Sequence, residues 1–167
     1  MRLFILILTL LCCFEVQANP VDDYYLYFVR HAEKAKEPKK NPALTEQGRA
    51  TALGLAQWMT NVKLSGIYST DYVRTMSTAQ PTAEMKKLAI TKYDPRSLKE
   101  LAAQLTTHKK TALIVGHSNT TPVLIRLVGG EADDIPESEY GVLYEVKFVK
   151  NKVVGTKQYL FTQKNGK

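Results

Sequence analysis

Hydrophobic residues recur along this chain with two different periods. Short unbroken apolar runs at YLYFV (25–29) and TALIVG (111–116) have the pattern of strands covered on both faces of a parallel sheet. GIYST (66–70) reads as a shorter strand and AITKY (89–93) as a weak one. VLYEVKFV (142–149) alternates as an antiparallel or edge strand does, and a turn at Asn151–Lys152 leads into a last strand, VVGTKQYLF (153–161). Between these runs the period becomes helical. Ala52, Leu55, Ala56 and Met59 form one stripe after Thr45, whose hydroxyl suits an N-cap. YVRTMSTAQPTAEMKKL (72–88) is predicted helical, with Pro81 expected to kink or restart it. PRSLKELAAQLTTH (95–108) is amphipathic, and TPVLIRLVG (121–129) carries Pro122 in its first turn and Gly129 near its end. The Lys- and Pro-rich segment EKAKEPKKNPAL (33–44) is predicted to be a loop.

Strands that alternate with helices predict βαβ units: an α/β fold, built as a three-layer α/β/α sandwich around a mostly parallel central sheet. No repeat or long linker divides the chain of 167 residues, so a single domain is expected over 19–167. The segment before it differs. Arg2 precedes an apolar run from Leu3 to Phe14, and Val16-Gln17-Ala18 places small residues at a cleavage position. This predicts a signal peptide over residues 1–18, cut after Ala18. The run is too short to cross about 30 Å of hydrocarbon as a helix, so no stable membrane insertion is expected after cleavage. Export to the periplasm or beyond the cell is the predicted localisation. Cys12 and Cys13 both fall in the leader, so disulfides and thiol chemistry are not expected in the domain.

The formal net charge is +7, which favours anionic partners. The lysines are scattered and no nucleic-acid motif is present, so nucleic acid is not the predicted partner. The distribution of histidines sharpens the picture. Of the three, His31 and His117 each follow an apolar strand directly, whereas His108 closes a predicted helix, where a partly positive imidazole suits the dipole. In α/β sheets, ligands bind beyond the carboxyl ends of the strands. Parallel strands would therefore bring His31 and His117 to one edge, with Arg30 beside the first. GIYST would deliver Arg74 on the next helix to the same edge. Arginines present forked donors that match phosphate oxygens. A neutral imidazole between them can attack phosphorus and carry the phosphoryl group covalently. A metal site assembled from His31, Glu33, Asp71 and His117 is disfavoured by the absence of tight ligand spacing and by the adjacent arginine, so neither metal nor cofactor is expected.

Taken together and in order, VRHAEK, LTEQGRATALGLA, YSTDYVRTMSTA and LIVGHSNTTPVLI resemble the motifs of the histidine phosphatase superfamily, the phosphoglycerate-mutase-like fold. The resemblance runs from Tyr25 to about Val149. It implies that His31 is the nucleophile and that Arg30, Arg74 and His117 complete the phosphate pocket. Ser77 stands where the second motif often has Gln. The resemblance leaves the general acid open: Asp94, just after the third strand, is the first choice, with Glu100 and Glu33 as alternatives.

The function expected is an exported phosphatase acting on small phosphorylated substrates, with phosphorylated envelope sugars as one class. A phosphohistidine-protein phosphatase fits the size but is at odds with export. A phosphoglycerate mutase is disfavoured by the short chain and the leader. A non-catalytic anion-binding module that kept the pocket is the alternative from outside enzymology.

Overall fold

Seven consecutive strand-forming residues, Tyr24–Arg30, make β1 and explain the architecture by themselves. In the computed structural model, which describes residues 23–161, Leu26 and Phe28 pack into one hydrophobic cluster, while Tyr27 and Val29 pack into another on the opposite side. The predicted leader and its cut after Ala18 lie outside the described residues. β4 (Ala112–Gly116) repeats the alternation, with Ala112 and Ile114 on one face and Leu113 and Val115 on the other. Side chains that alternate across a strand and are buried on both faces require a helical layer on each.

Those layers are α1 (Glu46–Trp58) with α2 (Val73–Lys86) on one face, and α3 (Leu98–His108) with α4 (Thr121–Leu127) on the other. β2 (Gly66–Thr70), β3 (Ile90–Tyr93), β5 (Val142–Val149) and β6 (Lys152–Leu160) complete a six-stranded sheet of order β3-β2-β4-β1-β5-β6. The first four strands in that order are parallel, and β5 and β6 run antiparallel to their neighbours. The three-layer sandwich with a mostly parallel sheet is thus as expected. Pro81 does not restart the helix: α2 runs through it, with buried Thr78, Ala79, Thr82 and Ala83 holding both halves against the sheet.

Two features fix the edge where the parallel strands end. Thr45 caps α1 by accepting a hydrogen bond from the Gly48 amide at 3.0 Å, and its own amide donates to the Glu33 carbonyl at 2.9 Å. A Cβ on Gly48 would collide with that same carbonyl, so only glycine lets α1 pack so close to the segment behind His31. The 33–44 loop is rooted at its base by an Ala35 amide to Ala43 carbonyl bond of 2.8 Å.

Candidate active site

β1 and β4 are adjacent and parallel, with Arg30 opposite Gly116, so the residue after each strand emerges at the same place. Those residues are His31 and His117. The His31 amide donates to the Gly116 carbonyl at 2.9 Å, and the two imidazole rings lie 5.5 Å apart, edge to face. Gly116 is tightly enclosed: an added Cβ would lie 2.9 Å from both the Thr121 and the Tyr93 hydroxyls. β2, on the other side of β4, ends at Thr70, beside His117.

A chain of hydroxyls then orients His117. Thr75 has one hydroxyl proton, which goes to the Thr70 or Tyr72 carbonyl at 2.8 or 3.0 Å. Its oxygen is free to accept from Thr70 at 2.9 Å. With the Thr70 proton so used, Nε2 of His117 is the donor across the 3.0 Å contact to Thr70. Nδ1 then carries the lone pair and accepts from Arg74 Nη2 at 3.4 Å. Arg74 is supported from below by Tyr72, whose ring centroid lies 4.5 Å from the guanidinium carbon.

His31 is oriented by its own neighbour. Its Nδ1 lies 2.8 Å from the Ala32 carbonyl, which can only accept, so Nδ1 bears the proton. Nε2 of the neutral ring therefore keeps its lone pair. Burial holds the His31 pKa down at about 3; the Ala32 bond opposes this, and the positive charge of Arg30 reinforces it. His117 is lowered to about 4, by burial first and by Arg74 second. Both rings are thus neutral in a cluster of fixed positive charge. The Nε of Arg74, which lines the cavity, is a buried donor without an acceptor, a deficit that an oxygen of a bound anion would satisfy.

His31, Tyr72, Arg74, His117 and Ser118 line one cavity of about 350 Å³, joined by Lys34 and Arg96. The structure brings together three of the four predicted pocket residues and turns the fourth aside. Arg30 is only 3% exposed and does not line the cavity. Its Nη1 donates to the Pro136 and Glu139 carbonyls, both at 2.9 Å, and its Nη2 to Glu137 at 2.8 Å. The Tyr140 ring covers it at 4.2 Å. Arg30 thus grips the segment between α4 and β5.

The structure does not bring the first-choice acid to the cavity. Asp94 does not line the cavity; Arg96 grasps its carboxylate through Nε and Nη2, with the closest contact at 2.7 Å. Those hydrogen bonds hold its pKa at about 2 and keep its carboxylate turned to Arg96, away from the cavity. Glu100 is exposed in the first turn of α3, and Glu33 is half-buried beside α1; neither lines the cavity. The carboxylate that does is Glu137, which accepts from Ser118 through Oε1 and from Arg30 through Oε2. Sequence reading missed it because IPESEYG (135–141) has no periodicity. Its place is set by a long-range pairing: β5 is antiparallel to β1, with Leu143 opposite Val29, so the residues just before β5 lie beside His31.

The family model described as the histidine phosphatase superfamily (branch 1) matches residues 26–104, from β1 into α3. That stretch, which holds His31 and Arg74, is similar to the histidine phosphatase superfamily. Its fold is shared with the protein histidine phosphatase SixA in complex with tungstate (14% identity, 81% of this chain and 94% of that one, TM-score 0.61). It is shared also with YhfR of Bacillus stearothermophilus (17% identity, 78% and 94%, TM-score 0.64). A third similar structure is the alpha-ribazole phosphatase of Shigella flexneri (13% identity, 83% and 96%, TM-score 0.63). No curated protein matches the chain. At these identities the likeness is one of fold.

Proposed function

We propose that this chain is a phosphatase that hydrolyses phosphomonoesters through a phosphohistidine on His31, without a metal. The observation that carries this reading is the tautomer of His31: Nδ1 is committed to the Ala32 carbonyl and Nε2 is left as a lone pair, 5.5 Å ring to ring from His117. In the first displacement Nε2 attacks phosphorus and the bond to the leaving oxygen breaks, giving a phosphoimidazolium that keeps its Nδ1 proton. In the second, water attacks phosphorus and the P–N electrons return to Nε2, which restores the resting ring. Arg74 leaves Nδ1 of His117 for the phosphoryl oxygens and stabilises the charge that develops on them. Arg30 adds its positive field to the pocket and holds one wall in place. The fixed cations supply what a metal ion would otherwise supply.

The apolar run at Leu3–Phe14 supports export, periplasmic or secreted. A cavity of about 350 Å³ suits small phosphorylated substrates, and phosphorylated envelope sugars are the first class to screen.

The test is phosphate release from p-nitrophenyl phosphate in EDTA, for the wild type and His31→Ala. Turnover that survives EDTA and is lost in the variant is the expected result. Turnover abolished by EDTA would sink the metal-free mechanism. Phosphate binding without turnover on any ester would instead mark a non-catalytic anion-binding module.

A further inference from the structure

We propose that Glu137 is the residue that moves the proton in both halves of the reaction, giving one to the leaving oxygen and then taking one from the attacking water. The inference rests on the phosphohistidine chemistry proposed above. Three observations carry it.

First, Glu137 is the one carboxylate among the described residues that line the cavity holding His31 and His117. Second, its two oxygens are not equivalent. Oε2 is fixed by a charge-assisted bond from buried Arg30 at 2.8 Å, so a proton there would cost that bond. Oε1 faces the Ser118 hydroxyl, which can rotate from donor to acceptor. Oε1 is therefore the oxygen that can gain and lose a proton while the carboxyl group stays in place. Third, the Glu137 side chain is 76% exposed, so its proton exchanges with solvent between turnovers.

The charges around it set when it is protonated. In the free pocket, the Ser118 hydrogen bond first and the Arg30 charge second hold its pKa below the usual carboxylate range, and His31 and Lys34 pull the same way. A bound phosphate dianion adds negative charge beside Glu137 and competes for those cations, which favours the neutral acid. The proton comes from a substrate that arrives as the monoanion, or from water. Oε1–H then protonates the leaving oxygen as the P–O bond breaks, leaving a carboxylate and the phosphoimidazolium. That carboxylate accepts a proton from the water that attacks phosphorus. The cycle ends with inorganic phosphate, neutral His31 and Glu137 protonated as it was when the first displacement began.

The test is kcat/KM for a series of aryl and alkyl phosphates of rising leaving-group pKa, for the wild type and Glu137→Gln. General acid catalysis contributes roughly 100- to 10,000-fold where the leaving group needs a proton. The variant should lose at least about 100-fold on alkyl phosphates and only a few-fold on p-nitrophenyl phosphate, so its dependence on leaving-group pKa steepens. With p-nitrophenyl phosphate it should also show a burst of nitrophenol followed by slow turnover, because water activation is impaired. Asp94→Asn should follow the wild type. A Glu137→Gln line parallel to the wild type, whatever its height, would overturn the inference, since a structural role lowers all substrates alike. A wild type inactive on every ester would overturn the phosphatase reading itself.

Discussion

The two walls of the cavity are built in opposite ways. One is the ends of β1, β2 and β4, where His31, Thr70 and His117 are fixed by backbone register and by a chain of hydroxyls in which Thr70 and Thr75 are fully buried. The other is the segment between α4 and β5, which has no regular structure beyond two turns. It is pegged at three points. Arg126 donates to the Ala132 carbonyl at 2.8 Å, Ile135 is buried in the core, and Arg30 grips Pro136, Glu137 and Glu139. The contrast separates two tasks. The strand wall holds the nucleophile and the cations, whose geometry must not vary during two displacements. The strap wall presents Glu137, which needs access to solvent. A rigid sheet edge suits the first task and an exposed loop the second.

Variants that disturb one wall at a time should rank accordingly. His31→Ala removes the group that accepts the phosphoryl, and turnover of p-nitrophenyl phosphate should fall by roughly 1,000-fold or more. Arg74→Ala removes a donor to the developing charge and should cost about 100- to 1,000-fold. Thr70→Val keeps the shape of its site but breaks the hydroxyl chain that orients His117; about a tenfold loss of kcat/KM is expected, with about 1 kcal/mol of stability. Tyr140→Leu uncovers Arg30 and loosens only the strap; a loss of a few-fold is expected on p-nitrophenyl phosphate, whose leaving group needs little help from a proton donor. If Tyr140→Leu proved as damaging as Arg74→Ala, the division between the walls would fail.

The pH profile sharpens the comparison with the smallest effect. A protonated Nε2 has no lone pair, so activity is lost as pH falls through the folded-state pKa of His31, at about 3, and that of His117, at about 4. After correction for the ionisation of the substrate, kcat/KM for p-nitrophenyl phosphate should change little between pH 7 and 5. An ordinary histidine of pKa about 6.5 would lose roughly 25-fold over that interval. A fall centred near pH 6.5 would show that the imidazoles are not desolvated. Stability carries the same sign. The unfolded chain protonates these rings near pH 6.5 while the folded one does not, so the melting temperature should drop as pH falls from 7 to 4, and less in His31→Asn.

The strand wall was legible in the sequence because its logic is local. An apolar run that ends in Arg-His, a second that ends in Gly-His and a parallel sheet together bring His31 and His117 to one edge. Arg74 followed from its place one turn after β2. The strap was not legible, because a loop without periodicity gains its position from the strand it leads into, and the pairing of β5 with β1 is a long-range fact. Arg30 illustrates the limit. Its burial followed from β1, but whether its guanidinium meets an anion or a loop depends on what the chain places opposite it more than 100 residues later. Asp94 fails for a related reason. Its position after β3 was read correctly, while the engagement of its carboxylate by Arg96 two residues on was not. Pro81 shows that tertiary packing outweighs a local helix breaker when both flanking turns are buried.

The central claim is that the phosphoryl group passes through His31 rather than directly to water. The stereochemical course at phosphorus tests this most directly. Hydrolysis of a phosphate ester made chiral with oxygen isotopes and sulfur, carried out in isotopically labelled water, reports retention or inversion. Two in-line displacements, first by His31 and then by water, predict net retention. Net inversion would mean a single displacement by water and would contradict a phosphohistidine intermediate.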